Sequence, residues 1–184
     1  MKIGILREEK SSVDGRVVLT PRQCKWVKES LSVDIVVRSS KIRCFTDKEY
    51  IDMDIPLVED VSDCDILLGI KEVPLDSLIR GKTYLYFSHT IKKQPYNRLL
   101  LKRMVDLGIE MIDYEVLCDN SNQRLIGFGR YAGIVGAYNG FLTYGLKSNR
   151  YSLKPAYSCE GRKELEAELV KISLLEEKIV LTGG

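Results

Sequence analysis

Apolar positions along this chain recur with two different periods. Short, nearly unbroken apolar runs appear as KIGIL at 2–6, VDIVV at 33–37, DILLGI at 65–70, TYLYF at 83–87, IEMID at 109–113 and KIVLT at 178–182. Runs of this length and composition predict strands buried on both faces. Between several of them the apolar residues take a helical spacing, in PRQCKWVKESL after Thr20 and in PYNRLLLKRMVDLG, which ends at Gly108. Thr20 followed by Pro21 predicts a helix start, because threonine caps orphan amides and proline has no donor to lose in the first turn. Strands alternating with helices predict a doubly wound α/β fold, a mostly parallel sheet of Rossmann-like or flavodoxin-like kind with helices on both faces.

The pattern changes after residue 113. VLCDNSNQRLIGFG, two short runs split by DNSNQ, predicts a hairpin or protruding loop. RYAGIVGAYNGFLTYGLKSN is apolar enough for a buried helix, although each interior glycine costs roughly 1 kcal/mol against alanine. Gly133, Gly136 and Gly140 share one helical face, open to close approach by another helix or a ligand, or to plain tight packing. Residues 150–160 read as a polar connector, and GRKELEAELVKISLLEEK as an amphipathic helix leading into the last apolar run.

Composition narrows the class of partner. With 184 residues, 45% hydrophobic and 29% charged, the chain can build one main core, and its net charge of +2 leaves no electrostatic footprint for nucleic acid or a membrane surface. Small molecules are the expected partners. MKIGILREEK has too short an apolar run for a signal peptide or a spanning helix, so the expected location is cytoplasmic. Cysteines at 24, 44, 64, 118 and 159 form no CxxC pair, which predicts reduced, mostly structural thiols and no metal site.

In open parallel sheets ligands bind beyond the carboxyl ends of the strands, so the residues after each strand matter most. Lys71 follows DILLGI, His89, the only histidine, follows TYLYFS, and Arg7 and Arg16 follow KIGIL. A lysine at the end of an apolar strand can be partly desolvated and exchange protons, and a histidine beside it can make the complementary transfer. Arginines at the same edge suit carboxylates, because a guanidinium forks onto two oxygens. Such a site would bind an acidic small molecule and move protons on it. By position alone, a lysine after a strand is usually a solvated loop residue, a single histidine is more often a surface or satisfied core residue, and Arg16 could anchor its own loop through Asp14.

In order along the chain, LREEK, GRVVLTP, LLGIKEVP, YFSHTIKKQP, IDYEVL and GFGRYAGIVGAYNG resemble the N-terminal part of the alanine dehydrogenase, transhydrogenase and saccharopine dehydrogenase superfamily. The resemblance covers most of residues 3–140, and SHTIK, IDYE and FGRYAG look closest to lysine-forming saccharopine dehydrogenase and to lysine–ketoglutarate reductase. It implies a two-domain enzyme that uses NAD or NADP and acts on an amino acid or 2-oxo acid. Lys71 and His89 would be its acid/base groups, Arg16 and Arg124 would bind substrate carboxylate, and Glu72 and Glu115 would tune the basic pair. Residues 1–177 would form the substrate domain, and 178–184 the first strand and glycines of a cofactor domain, with Gly183 and Gly184 opening an incomplete loop that binds no cofactor by itself. SLKPAYSCEGRKELEAELVK at 152–171 matches no motif of the family, and no GxGxxG is present. An alanine dehydrogenase-type domain and a stand-alone carboxylate-binding module remain as alternatives.

Overall fold

The structure is a computed structural model that describes residues 1–10, 14–174, 176 and 178–180. The chain divides into two compact units, Met1–Gly127 and Phe128–Gly184.

In the first unit the elements run β1 (Lys2–Ile5), α1 (Pro21–Leu31), β2 (Asp34–Arg38), α2 (Asp47–Ile51), β3 (Leu57–Val58), β4 (Ile66–Leu68), β5 (Thr83–Tyr86), α3 (Arg98–Asp106) and β6 (Glu110–Asp113). The strands form one sheet in the order β3-β2-β1-β4-β5-β6, and every neighbouring pair is parallel. This is the Rossmann order, with its reversal of direction between β1 and β4. Alternation along each strand sorts the side chains between two faces. On one face Ile3, Ile5, Ile35 and Val37 pack with Cys24 of α1 and Tyr50 of α2. On the other, Val36, Leu67, Tyr84 and Tyr86 pack with Leu100 and Met104 of α3.

Local signals explain where the helices start. Thr20 caps α1 in a full capping box with Gln23, and Pro21 takes the first turn. Thr46 and Glu49 make the same box for α2, a helix that the apolar periodicity does not show but the spelling TDKE does. The two-residue β3 has no periodicity to read. After α3 the chain turns at Gly108, whose φ of +60° is left-handed backbone suited to glycine. The predicted hairpin is present: Cys118 and Arg124 pair as an antiparallel bridge, and the Asp119 side chain accepts from the Ser121 and Gln123 amides in the turn.

In the second unit α4 (Gly129–Ser148) is followed by a connector and α5 (Arg162–Glu168). The expectation of a buried helix over this glycine-rich stretch is corrected, since only Tyr138 and Gly145 of α4 are buried. The small cluster of Tyr138, Leu153 and Leu165 covers one side of the helix only. A Cβ on Gly133, Gly136 or Gly140 would meet nothing within 4 Å among the described residues, so the close approach read from those three is not made here. It is made at Gly145, where a Cβ would stand 2.5 Å from the Tyr151 ring and 2.6 Å from its carbonyl oxygen. The amphipathic helix at the C-terminal side is also shorter than expected. It ends at Glu168 and tightens into a 3-10 turn over Leu169–Lys171, where Val170, Ile172 and Ser173 lower helix propensity. Lys178–Val180 carry no strand, and the rest of that run, with Gly183 and Gly184, lies outside the described residues.

All five cysteines are free. Cys24 and Cys64 are core residues, and burial pushes their thiols up to about 12 and about 11, far from the reactive thiolate. Among the described residues no helix is long and apolar enough to cross a membrane.

Candidate functional site

Because the sheet is wholly parallel, the carboxyl ends of β1, β4, β5 and β6 share one edge, and the loops leaving it carry the candidate residues. Arg16 lies after β1, Lys71 and Glu72 after β4, His89 after β5, Glu115 after β6 and Arg124 on the returning arm of the hairpin. Beneath them a third apolar cluster joins Ile70, Phe87 and Tyr114 to Val18, Leu117 and Ile126. Each of these six is within two residues of a candidate, and Leu85 of β5 completes the cluster. Packing these apolar neighbours together is what draws loops distant in sequence to one place.

Glu72 is the hub. It is 8% exposed, its Oε1 meets His89 Nδ1 at 2.7 Å, and its Oε2 accepts from Lys10 Nζ at 2.6 Å. Burial pushes the Glu72 carboxyl up, but the bonds from Lys10 and His89 outweigh it and hold the group below its ordinary range. An ionised carboxylate can only accept, so His89 Nδ1 donates to Glu72, which leaves Nε2 as the other nitrogen of the ring. The ring is stacked on Phe87 at 6.4 Å between centroids. The backbone at His89 is left-handed, φ +57°, and is pinned from the preceding residue: Ser88 Oγ donates to Asp113 Oδ2 at 2.5 Å, and Asn97 Nδ2 donates to the Ser88 carbonyl at 2.6 Å.

Lys71 is half-buried and lines a cavity of about 190 Å³ with Arg7, Glu8, Glu9, Arg38 and Glu72. Arg16 forks onto Asp14, Nε to Oδ1 at 2.8 Å and NH2 to Oδ2 at 2.5 Å. The Arg16 guanidinium holds the Asp14 carboxyl below the usual range, and the charge of Lys71 adds to the effect. Glu115 Oε1 faces Lys92 Nζ at 3.0 Å and Arg124 NH2 at 3.6 Å, and Arg124 lies 6.0 Å over the Phe87 ring. Glu115 Oε2 is buried without a hydrogen-bond partner among the described residues. The edge therefore joins His89 to Glu72 and Arg124 to Glu115, with Phe87 between the two pairs. Arg7 is turned to Glu9, Glu59 and the Ser39 carbonyl.

Sequence reasoning missed Glu8, Lys10, Lys92 and Phe87. Lys10 stands in LREEK and Lys92 three residues after His89, so both were within motifs already singled out. Nothing in the spelling marks which of the neighbouring charges points inward.

The strand order places a crevice at the β1/β4 reversal, where a Rossmann domain holds a dinucleotide. Here the segment after β1 is LREEK, and Glu8, Glu9, Glu59 and Asp60 line the crevice. Carboxylates stand where a pyrophosphate needs glycines and a helix N-terminus, and α1 begins only at Pro21. This crevice, which Arg7, Arg38 and Lys71 line as well, lacks the glycine-rich loop and helix N-terminus of a pyrophosphate site.

A titration checks the hub. Because the folded Glu72 carboxyl sits below its ordinary range, the stability it contributes is present above the unfolded value of roughly 4.3 and is lost as pH falls through the folded value. The stability gap between the unsubstituted protein and Glu72→Gln should be full near neutral pH and close in acid. Denaturant melts across that range would measure it, and a gap unchanged into strong acid would contradict an ionised Glu72.

The alanine dehydrogenase/PNT N-terminal domain model matches residues 4–135. Over 137 residues the chain is 36% identical to the mitochondrial alpha-aminoadipic semialdehyde synthase of Bos taurus, covering 74% of this chain and 15% of that protein. Over 138 residues it is 33% identical to the saccharopine dehydrogenase [NAD(+), L-lysine-forming] of Emericella nidulans, covering 72% of this chain and 36% of that protein. The chain thus spans well under half the length of these relatives. Its fold is shared with an L-alanine dehydrogenase, at TM-score 0.59 and 17% identity over 80% of this chain and 40% of that one. It is shared also with a transhydrogenase from Sinorhizobium meliloti, at TM-score 0.63 and 14% identity over 82% and 43%.

Proposed function

The chain belongs to the alanine dehydrogenase/PNT N-terminal domain family, and on that premise we propose that it is the substrate-binding and acid/base domain of an amino-acid dehydrogenase acting on a CH–NH group. The substrate we propose is saccharopine, cleaved reversibly to lysine and 2-oxoglutarate. The observation that carries the proposal is the buried Glu72 bridging His89 and Lys10 beside Lys71. The oxidant of such a reaction, NAD or NADP, would take the hydride and bind elsewhere in the enzyme.

The residues of this chain do the proton and binding work. His89 Nε2 takes a proton from the substrate nitrogen, while Glu72 fixes the tautomer and stabilises the imidazolium that results. Lys71 exchanges the proton of the water that adds to the imine carbon and of the hydroxyl that collapses when the C–N bond breaks. Arg16 and Arg124 already hold carboxylates in Asp14 and Glu115, so substrate carboxylates would join or replace these partners.

Calorimetric titration of 2-oxoglutarate, saccharopine, pyruvate and lysine into the chain tests the proposal. We expect 2-oxoglutarate or saccharopine to bind at least about tenfold more tightly than pyruvate, as a second charged contact of ~1.5 kcal/mol or more implies. Preference for pyruvate would favour an alanine dehydrogenase-type domain. No binding of any of the four would sink the proposal.

A further inference from the structure

We infer that Glu8 is the positioning residue for Lys71, an inference that rests on the acid/base reading of Lys71 above. Pairing between β1 and β4 ends where the Leu6 amide donates to the Leu68 carbonyl at 2.8 Å. On its other side the β4 chain stays paired for two more residues, with the Gly69 amide bonded to the Leu85 carbonyl and the Phe87 amide to the Ile70 carbonyl, both at 3.0 Å. The amides of Ile70 and Lys71 are left with no carbonyl from β1. The Glu8 side chain supplies the acceptors. Its Oε1 accepts from Ile70 N–H at 2.7 Å and its Oε2 from Lys71 N–H at 2.9 Å, across 62 and 63 residues of sequence.

One carboxylate holding two consecutive amides fixes both the position and the direction of the backbone. Charge-assisted bonds of this kind are about twice as strong as neutral ones. What they fix is the root of a long, flexible side chain. The stem of Lys71 can reach many places, so its ammonium is useful only if its Cα is held, and a misplacement of about 1 Å can cost roughly 100-fold in rate. Glu8 itself is not asked to touch substrate or move a proton.

The test is a double-mutant cycle with Glu8→Gln, Lys71→Met and the double variant, read by kcat of the proposed dehydrogenase and by amide hydrogen exchange on the chain. Glutamine keeps the shape of Glu8 but turns an NH2 group toward one of the two amides. Loss of charge-assisted bonds should speed exchange at Ile70 and Lys71 by roughly 10- to 100-fold, with the β5 amides unchanged. Glu8→Gln should lower kcat about tenfold when Lys71 is present and have little further effect once Lys71 is Met, because Glu8 acts through Lys71. Glu8→Asp, which keeps the charge on a shorter arm unable to span both amides, carries the same cycle if the glutamine variant does not fold. Full additivity of the two losses, or unaltered kcat in Glu8→Gln while Lys71→Met is impaired, would overturn the positioning role and leave the proposed function standing. No 2-oxoglutarate binding by the parent chain would overturn both.

Discussion

Replacing Lys71 by Met in the proposed dehydrogenase should lower kcat by about 10²–10⁴-fold, the range that positioned proton transfer contributes, and His89→Gln should do the same. Methionine keeps the length and much of the apolar stem of lysine but has no proton to exchange. Glutamine can still meet Glu72 with its amide but cannot shuttle a proton from a second nitrogen. If the two act as one acid/base unit, the double variant should fall well short of the product of the single losses. Steady-state rates in both directions would measure this, and unchanged turnover in both single variants would end the acid/base assignment.

The second large effect is expected at Phe87. It is 5% exposed, packs edge-on to Tyr114 at 5.3 Å, lies under the His89 ring and carries Arg124 above it. Phe87→Ala removes a buried ring from beneath the site and should cost about 3–5 kcal/mol, which lowers Tm by roughly 10 °C or more. Phe87→Leu keeps most of the volume and should cost less than about 1.5 kcal/mol, yet it removes the stacked surface against His89. The leucine variant should therefore remain folded while losing affinity for 2-oxoglutarate. Thermal melts and titrations on both variants would check the pair, and an alanine variant within about 0.5 kcal/mol of the parent would show that the cluster does not support this edge.

Part of the site is legible in the amino-acid sequence. Lys71, His89 and Arg16 were found because each follows a strand, and a parallel sheet sends every such residue to the same edge. The bonds among them were not legible. That Glu72 rather than Glu8 meets His89, 17 residues away, and that Glu8 turns to the backbone of the Lys71 loop, 63 residues away, depends on the paths of loops that leave neighbouring strands. Arg16 could be read in two ways from its spacing, and the structure shows it forked onto Asp14. Arg7, read with the other basic groups, faces Glu9 and Glu59.

The same division runs through the fold. The amino-acid sequence by itself determined five of the six strands, the parallel α/β class, the start of α1 at Thr20 and the hairpin around Asp119. All of these are set by periodicity or by contacts within a few residues. Only the tertiary structure decided that α4 is left largely exposed, that Gly145 and not the Gly133–Gly136–Gly140 face meets a neighbouring side chain, and which carboxylate serves which base. Burial and pairing of that kind depend on what another part of the chain brings opposite, and no local pattern records it.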